Sequence, residues 1–252
     1  MIVGAHALVT GGGTGVGRAV ALALAEAGAQ VTICGRRAEA LDTVAAEHAN
    51  IHALTADVTS ESSVEALYGQ AEAARGPFDI VVANAGIAES APAAKVTLDQ
   101  WNRMISVNLT GAFLTVRPAL APMQKRGEGR IVFIASVAGL KGFGYVAPYV
   151  ASKHGVVGLM RALAVETAKS GVTVNAVCPG FVETDMLETS LQNIMTKTGR
   201  SEADARASLV VGNPQGRFIQ PEEVAASVLW LCSDGARSIT GQAISISGGE
   251  TW

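Results

Sequence analysis

Three residues suited to acid–base chemistry fall within one short stretch, Arg130 to Gly155 (RIVFIASVAGLKGFGYVAPYVASKHG): Ser136, Tyr149 and Lys153. The run Ile131 to Ala135 is apolar and rich in β-branched and aromatic residues. It predicts a buried strand that delivers the Ser136 hydroxyl at its carboxyl end. Tyr149 and Lys153 stand four residues apart at the start of a segment long enough to be a helix, so ammonium and phenol share a face. A free phenol, with a pKa near ~10, exchanges protons poorly at neutral pH, and an adjacent cation favours its phenolate. Tyr149 is therefore a candidate general acid/base, and Ser136 a hydrogen-bond donor to an oxygen whose charge changes. A tyrosine and a lysine that merely share a helix face are common, so the pair takes its meaning from the elements around it.

Those elements alternate. Short apolar runs at Ala7–Val9, Val31–Cys34, Ile51–Thr55, Ile80–Ala83, Ile131–Ala135, Val172–Val177 and Ala243–Ile246 read as strands. Helical stretches around Val16–Ala27, Arg37–Glu47, Ser62–Ala74, Leu98–Gln124, Tyr149–Lys169 and Pro221–Leu231 separate them. The pattern predicts an α/β fold: a parallel sheet of about seven strands with helices on both faces and function at the carboxyl ends of the strands. With 252 residues, 49% apolar and 16% charged, the chain is expected to form a single domain with a large core.

The net charge of −3, without a basic run, gives no electrostatic reason to expect nucleic acid. Cys34, Cys178 and Cys232 are widely separated within apolar runs, which reads as buried, reduced thiols rather than disulfides or a metal site. No leader pattern and no uninterrupted apolar run of membrane-spanning length is evident, so a cytoplasmic protein with no membrane partner is expected.

The first strand runs into Thr10-Gly11-Gly12-Gly13-Thr14-Gly15-Val16-Gly17 and then a helix. Glycines there let backbone N–H groups at the helix N-terminus approach a pyrophosphate, which points to dinucleotide binding. About twenty residues further on, such folds carry an acid for the adenosine ribose. Here the second strand ends Cys34-Gly35-Arg36-Arg37. Paired guanidiniums in place of a carboxylate suit a ribose 2′-phosphate, so NADP(H) is expected over NAD(H). Ala56-Asp57-Val58 and Ala83-Asn84-Ala85-Gly86 are small-residue turns at strand ends where an adenine could lie. Asn108, amid an apolar helical stretch, is either a satisfied core amide or part of a water relay.

With these residues assembled, the chain from about Ala5 onward resembles the classical short-chain dehydrogenase/reductase family. Thr10-Gly11 through Gly15-x-Gly17 is similar to its glycine motif, and Asn84-Ala85-Gly86 to its Asn-Ala-Gly turn. Asn108, Ser136, Tyr149 and Lys153 match its catalytic tetrad, and Pro179-Gly180-Phe181-Val182-Glu183-Thr184 its nicotinamide-side loop. The resemblance implies a Rossmann-type, doubly wound sheet and reversible hydride transfer between nicotinamide and a ketone or secondary alcohol. It further implies that Asp57 and Val58 flank the adenine, Val182 and Thr184 meet the carboxamide, and Lys153 binds the nicotinamide ribose and depresses the Tyr149 pKa. Asn108 would hold a water, and the assembly would be a homotetramer. Ala83 stands where the family often has a second Asn. Thr14 stands where many NADP-dependent relatives carry a basic residue, leaving half of that signature in place.

Substrate specificity is expected in the loop Val137–Pro148 and in a helical lid over 185–211. Leu140, Phe143, Tyr145, Val146, Phe181, Met186 and Leu187 are the candidate pocket walls. The segments Ser152–Gly158 and Val174–Thr184 are similar to polyketide and 3-oxoacyl ketoreductases. A 3-oxoacyl thioester on CoA or an acyl carrier is therefore the first expectation, read as 3-oxoacyl reductase or 3-hydroxyacyl dehydrogenase. A general ketone or secondary-alcohol dehydrogenase, NAD-dependent or not, is the second. A non-catalytic dinucleotide sensor would not need all four tetrad side chains.

Overall fold

The structure, a computed structural model, describes residues 2–251. Seven short strands form it: β1 (His6–Thr10), β2 (Gln30–Gly35), β3 (Ile51–Thr55), β4 (Ile80–Ala83), β5 (Gly129–Ile134), β6 (Val172–Pro179) and β7 (Ala243–Ile246). They lie in the order β3-β2-β1-β4-β5-β6-β7, and every pairing is parallel. The chain order reverses between β1 and β4, so the helices leaving those strands go to opposite faces and open a crevice at their carboxyl ends.

The strands read as continuous apolar runs because both faces are covered. Leu8, Val81, Ile131, Phe133, Val174 and Ala176 point to one face, and Val9, Ile33, Val82, Val132, Ile134 and Val177 to the other. The first face packs under α3 (Glu61–Arg75), α5 (Gly111–Arg126) and α6 (Ala147–Thr167). The second packs under α1 (Gly15–Glu26), α2 (Ala38–Ala45) and α9 (Pro221–Cys232). All three cysteines are buried and unpaired.

One expectation changes. The helix expected over Leu98–Gln124 is α4 (Leu98–Ile105) and α5 separated by a π turn at Ser106–Thr110. There the hydrogen bonds lengthen by one residue and re-aim the side chains, among them Asn108. Within the stretch 98–126, an 18-residue window reaches the mean hydropathy (1.2) of a membrane span. Its Met104, Val116, Ala119 and Met123 are buried against this protein's own core. The segment expected as a helical lid consists of two helices, α7 (Asp185–Thr198) and α8 (Glu202–Val210), turned at Gly199 (φ 70°). They share a small core of Leu187, Leu191, Ala205 and Phe218.

Candidate active site

The crevice is a cavity of about 820 Å³, within the size range of cofactor and ligand sites. Its floor is the glycine turn after β1. Gly11 (φ 67°) and Gly15 (φ 53°) occupy the left-handed region, and the Gly11 amide donates to the Cys34 carbonyl at 2.7 Å. A Cβ on Gly17 would collide with the Gly11 carbonyl oxygen and the Asn84 amide, so only glycine lets α1 start this close to β1. Thr14, the α1 N-cap, makes no side-chain capping bond, and the first turn holds no acid. The partial positive end of α1 therefore faces the cavity beside Thr14, Gly15, Val16 and Gly17, a cradle that fits a diphosphate.

The far wall is stitched to that floor. The Thr10 hydroxyl accepts the amides of Asn84 (3.0 Å) and Ala85 (3.1 Å), and Asn84 Nδ2 donates back to the Thr10 carbonyl (2.8 Å). Gly86 continues the wall. Arg36 and Arg37 line the cavity at the end of β2, exposed, and neither is in an ion pair among the described residues. Asp57 and Val58 lie beside them. The Asp57 carboxyl is held below its usual range, chiefly by the Thr59 amide and hydroxyl, with the Arg36 charge adding to the effect. Pro179 at the end of β6 and Gly180, Val182 and Thr184 after it also line the cavity. The Thr184 methyl group lies where Gly15 has no side chain, at 3.0 Å from the missing Cβ.

Ser136, Tyr149 and Lys153 all line this cavity. The Ser136 oxygen accepts the Ala138 amide (3.1 Å), and its hydroxyl faces both the Tyr149 phenol and the Pro179 carbonyl, the latter at 3.5 Å, a bond long enough to yield to a better acceptor. Pro148 begins α6 and sets Tyr149 in its first turn. The Lys153 amine, buried, sits 5.7 Å from the Tyr149 ring centre. It donates to the Ile134 carbonyl at 2.8 Å, tying α6 to the end of β5.

One electrostatic expectation is corrected. Burial pushes the Tyr149 phenol above its ordinary value, with the Ser136 hydroxyl pulling it part of the way back. Burial also brings the Lys153 amine down to about 8. Desolvation of two groups in one apolar wall outweighs the attraction expected from their spacing. Tyr149 is accordingly protonated at neutral pH.

Asn108 lies behind the wall, 1% exposed and off the cavity. Its Oδ1 accepts the Ile87 amide (2.8 Å), and its Nδ2 donates to the Ile87 carbonyl (2.9 Å) and the Ser152 hydroxyl (3.1 Å). Both donors are committed, which leaves one Oδ1 lone pair for a water. Phe143, Tyr145, Val146, Phe181, Met186 and Leu187 line the cavity. Leu140 does not: it packs against the core beneath the sheet, because its apolar side chain turns inward at the end of the short 3₁₀ turn 137–139. Tyr145 holds a left-handed conformation (φ 67°) and accepts the Ala91 amide (2.8 Å), joining the two loops at the mouth.

Several contributors carry no signal in the sequence. Thr10 and Ser152 act through backbone and side-chain bonds that only the fold assembles. Glu250, its side chain 4% exposed, pairs with Lys141 (3.0 Å) and braces the loop bearing Phe143 against the C-terminal segment. Ser190, Asn193 and Lys197 enter the cavity from α7.

Residues 5–194 match the family described as short chain dehydrogenase. The chain is similar to an acetoacetyl-CoA reductase of Rhizobium meliloti, at 39% identity with 97% of each chain covered. It is also similar to a D-beta-hydroxybutyrate dehydrogenase of Rhizobium meliloti, at 38% identity over 97% of this chain and 98% of that one. Among solved structures, a variant of the actinorhodin polyketide ketoreductase with NADPH matches with a TM-score of 0.94 and 39% identity, over 98% of this chain and 97% of that one.

Replacing Asn108 by Asp keeps the shape but removes both donors and sets a carboxylate against the Ile87 carbonyl. Asn108→Asp is expected to cost roughly 2–4 kcal/mol, as the Ile87 carbonyl loses its donor and faces a buried carboxylate that keeps the Ile87 amide. Urea denaturation and amide exchange over residues 85–92 check this; unchanged stability and exchange would contradict the clamp.

Proposed function

This chain belongs to the short chain dehydrogenase family and is an oxidoreductase acting on a ketone or secondary alcohol; on that premise we propose that it is an NADP(H)-dependent reductase of 3-oxoacyl thioesters. The observation that carries the reading is the convergence of Ser136, Tyr149 and Lys153 on one wall of a cavity floored by the uncapped N-terminus of α1. When bound, the dinucleotide supplies the hydride in reduction and accepts it in oxidation. The α1 amides at Gly15 to Gly17, with Gly11, hold its diphosphate. Asp57 and Val58, with Asn84, Ala85 and Gly86, flank its adenosine half, and Pro179, Gly180, Val182 and Thr184 hold the carboxamide end. Lys153 holds the nicotinamide ribose.

In this reading the Ser136 proton turns from the Pro179 carbonyl to the substrate oxygen. Tyr149 donates its proton to that same oxygen as negative charge develops there. A phenol that stays protonated at neutral pH suits the acid role in reduction. Asn108 acts indirectly: it fixes Ile87 and, through Ser152, the first turn of α6 that bears Tyr149.

NADP(H) preference rests on Arg36 and Arg37, two guanidiniums on the cavity without carboxylate partners among the described residues. It is supported by NADPH in a 39% identical structure. The thioester reading is supported by the acetoacetyl-CoA reductase at 39% identity. The D-beta-hydroxybutyrate dehydrogenase at 38% favours a second reading, a dehydrogenase of small hydroxy compounds. A homotetramer is the expected assembly. Exposed Leu98, Trp101, Phe113 and Val165 on α4, α5 and α6 support self-association; the terminal Trp252 lies outside the described residues.

Tyr149→Phe is expected to abolish nearly all turnover while NADPH still binds with wild-type affinity by fluorescence titration. Near-normal activity would remove Tyr149 from the mechanism. In the wild type, reduction falls and oxidation rises as pH climbs through the phenol's ionisation, because the acid is lost as the base forms. Arg36→Ala/Arg37→Ala is expected to raise KM for NADPH roughly tenfold or more, the scale of one or two charge-assisted bonds, and to leave NADH nearly unchanged. Equal effects on both cofactors would mean the arginines are surface charge. Sedimentation at micromolar concentration should give a tetramer; a monomer would contradict the assembly.

A further inference from the structure

The lid carries three cations, Lys197, Arg200 and Arg206, and the fold separates them. Arg206 is engaged by Glu183 (2.7 Å), Glu188 (2.7 Å) and Glu202 (3.1 Å) and lies over the Phe218 ring. Arg200 lies off the cavity. Lys197 alone of the three lines it, with no carboxylate partner among the described residues. Its amine donates only to the Ser90 carbonyl across the mouth, at 3.2 Å.

Lys197 ends a stripe. Met186, Ser190, Asn193 and Lys197 are spaced four, three and four residues apart, so they share one face of α7, and all four line the cavity. The 14 residues of α7 span about 20 Å at ~1.5 Å per residue. The cavity therefore runs from the end near Thr184 and Tyr149 to a far end at Lys197. Polarity changes along it. Phe181 and Met186, which flank Thr184, stand at the near end, whereas Asn193, Lys197 and the Ser90 carbonyl mark the far one. Lys153 is held by the Ile134 carbonyl, and the exposed carboxylate of Asp185 opens α7 at the near end. An anion adjoining the reacting carbon would meet that carboxylate, while an anion carried remotely would meet Lys197.

We propose that Lys197, with Ser190 and Asn193, is a subsite for the phosphate at the carrier end of an acyl thioester substrate. The near end takes the short apolar acyl group, and the stripe follows the amide-bearing pantetheine arm. The assignment rests on the thioester reading above. The pantetheine phosphate is common to CoA and to acyl-carrier thioesters, so Lys197 would read both.

The test compares acetoacetyl-pantetheine, acetoacetyl-4′-phosphopantetheine and acetoacetyl-CoA on wild type, Lys197→Met and Lys197→Arg. Lys197→Met is expected to raise KM roughly tenfold for the two phosphate-bearing thioesters, the size of a charge-assisted hydrogen bond. The pantetheine KM and all three kcat values should stay within about twofold, because the Met stem preserves packing. Lys197→Arg should restore most of the loss, and added salt should shrink it. Equal KM increases for all three substrates would make Lys197 a latch to Ser90 and overturn the proposal. So would a change confined to CoA, or no change at all. A wild-type enzyme that reduces simple ketones but none of the thioesters would overturn the thioester reading itself, and this subsite with it.

Discussion

The site depends on a stitch between two strand ends. Thr10 closes β1 with a hydroxyl that accepts both the Asn84 and Ala85 amides, and Asn84 returns a bond to the Thr10 carbonyl. β1 and β4 are the neighbours whose following segments leave to opposite faces, so without a tie their carboxyl ends would be free to splay. The same Asn84 amide nearly touches Gly17, which sets α1 directly over the stitch. Strand ends, glycine turn and helix N-terminus are thus one rigid unit, and an anion placed there meets preorganised N–H groups.

A second constraint is electrostatic and comes from burial. The Lys153 amine reaches the Ile134 carbonyl through the wall that holds Tyr149, and both ionisable groups lose water there. Desolvation moves them in opposite directions, the phenol up and the amine down to about 8, so both shifts favour the neutral forms. A site of this kind holds a proton on oxygen until a reacting group draws it off. Ser136, with its oxygen fixed by Ala138 and its hydroxyl beside the Tyr149 phenol, is built to give its hydrogen bond where that proton goes.

Much of this was legible from residue order. Strands buried on both faces write themselves as unbroken apolar runs, which is why Ile131 to Ala135 located β5 and hence Ser136. Four-residue spacing put Tyr149 and Lys153 on one helix face, and glycines between a first strand and a helix pointed to a dinucleotide, although such clusters also form plain turns. What was hidden has physical reasons. Periodicity cannot show a hydrogen-bond ladder slipping by one residue, so the π turn at Ser106–Thr110 was read as plain helix. Apolarity does not state direction, and Leu140 faces the core while Phe143, three residues on, faces the cavity. Spacing gives proximity but not desolvation, so the sign of the Tyr149 shift was misjudged. The pairing of Lys141 with Glu250 joins distant parts of the chain through nothing but the fold.

The central claim is that this cavity moves a hydride onto a carbonyl carbon while Tyr149 supplies the proton. Incubating the protein with acetoacetyl-CoA and NADPH carrying deuterium at nicotinamide C4, on the transferring face, then weighing the product by mass spectrometry, tests it most directly. The expected result is 3-hydroxybutyryl-CoA with one deuterium on C3. Tight NADPH binding with no labelled alcohol from this thioester or from a panel of simple ketones would contradict the account and mark the site as one that binds the dinucleotide without using it.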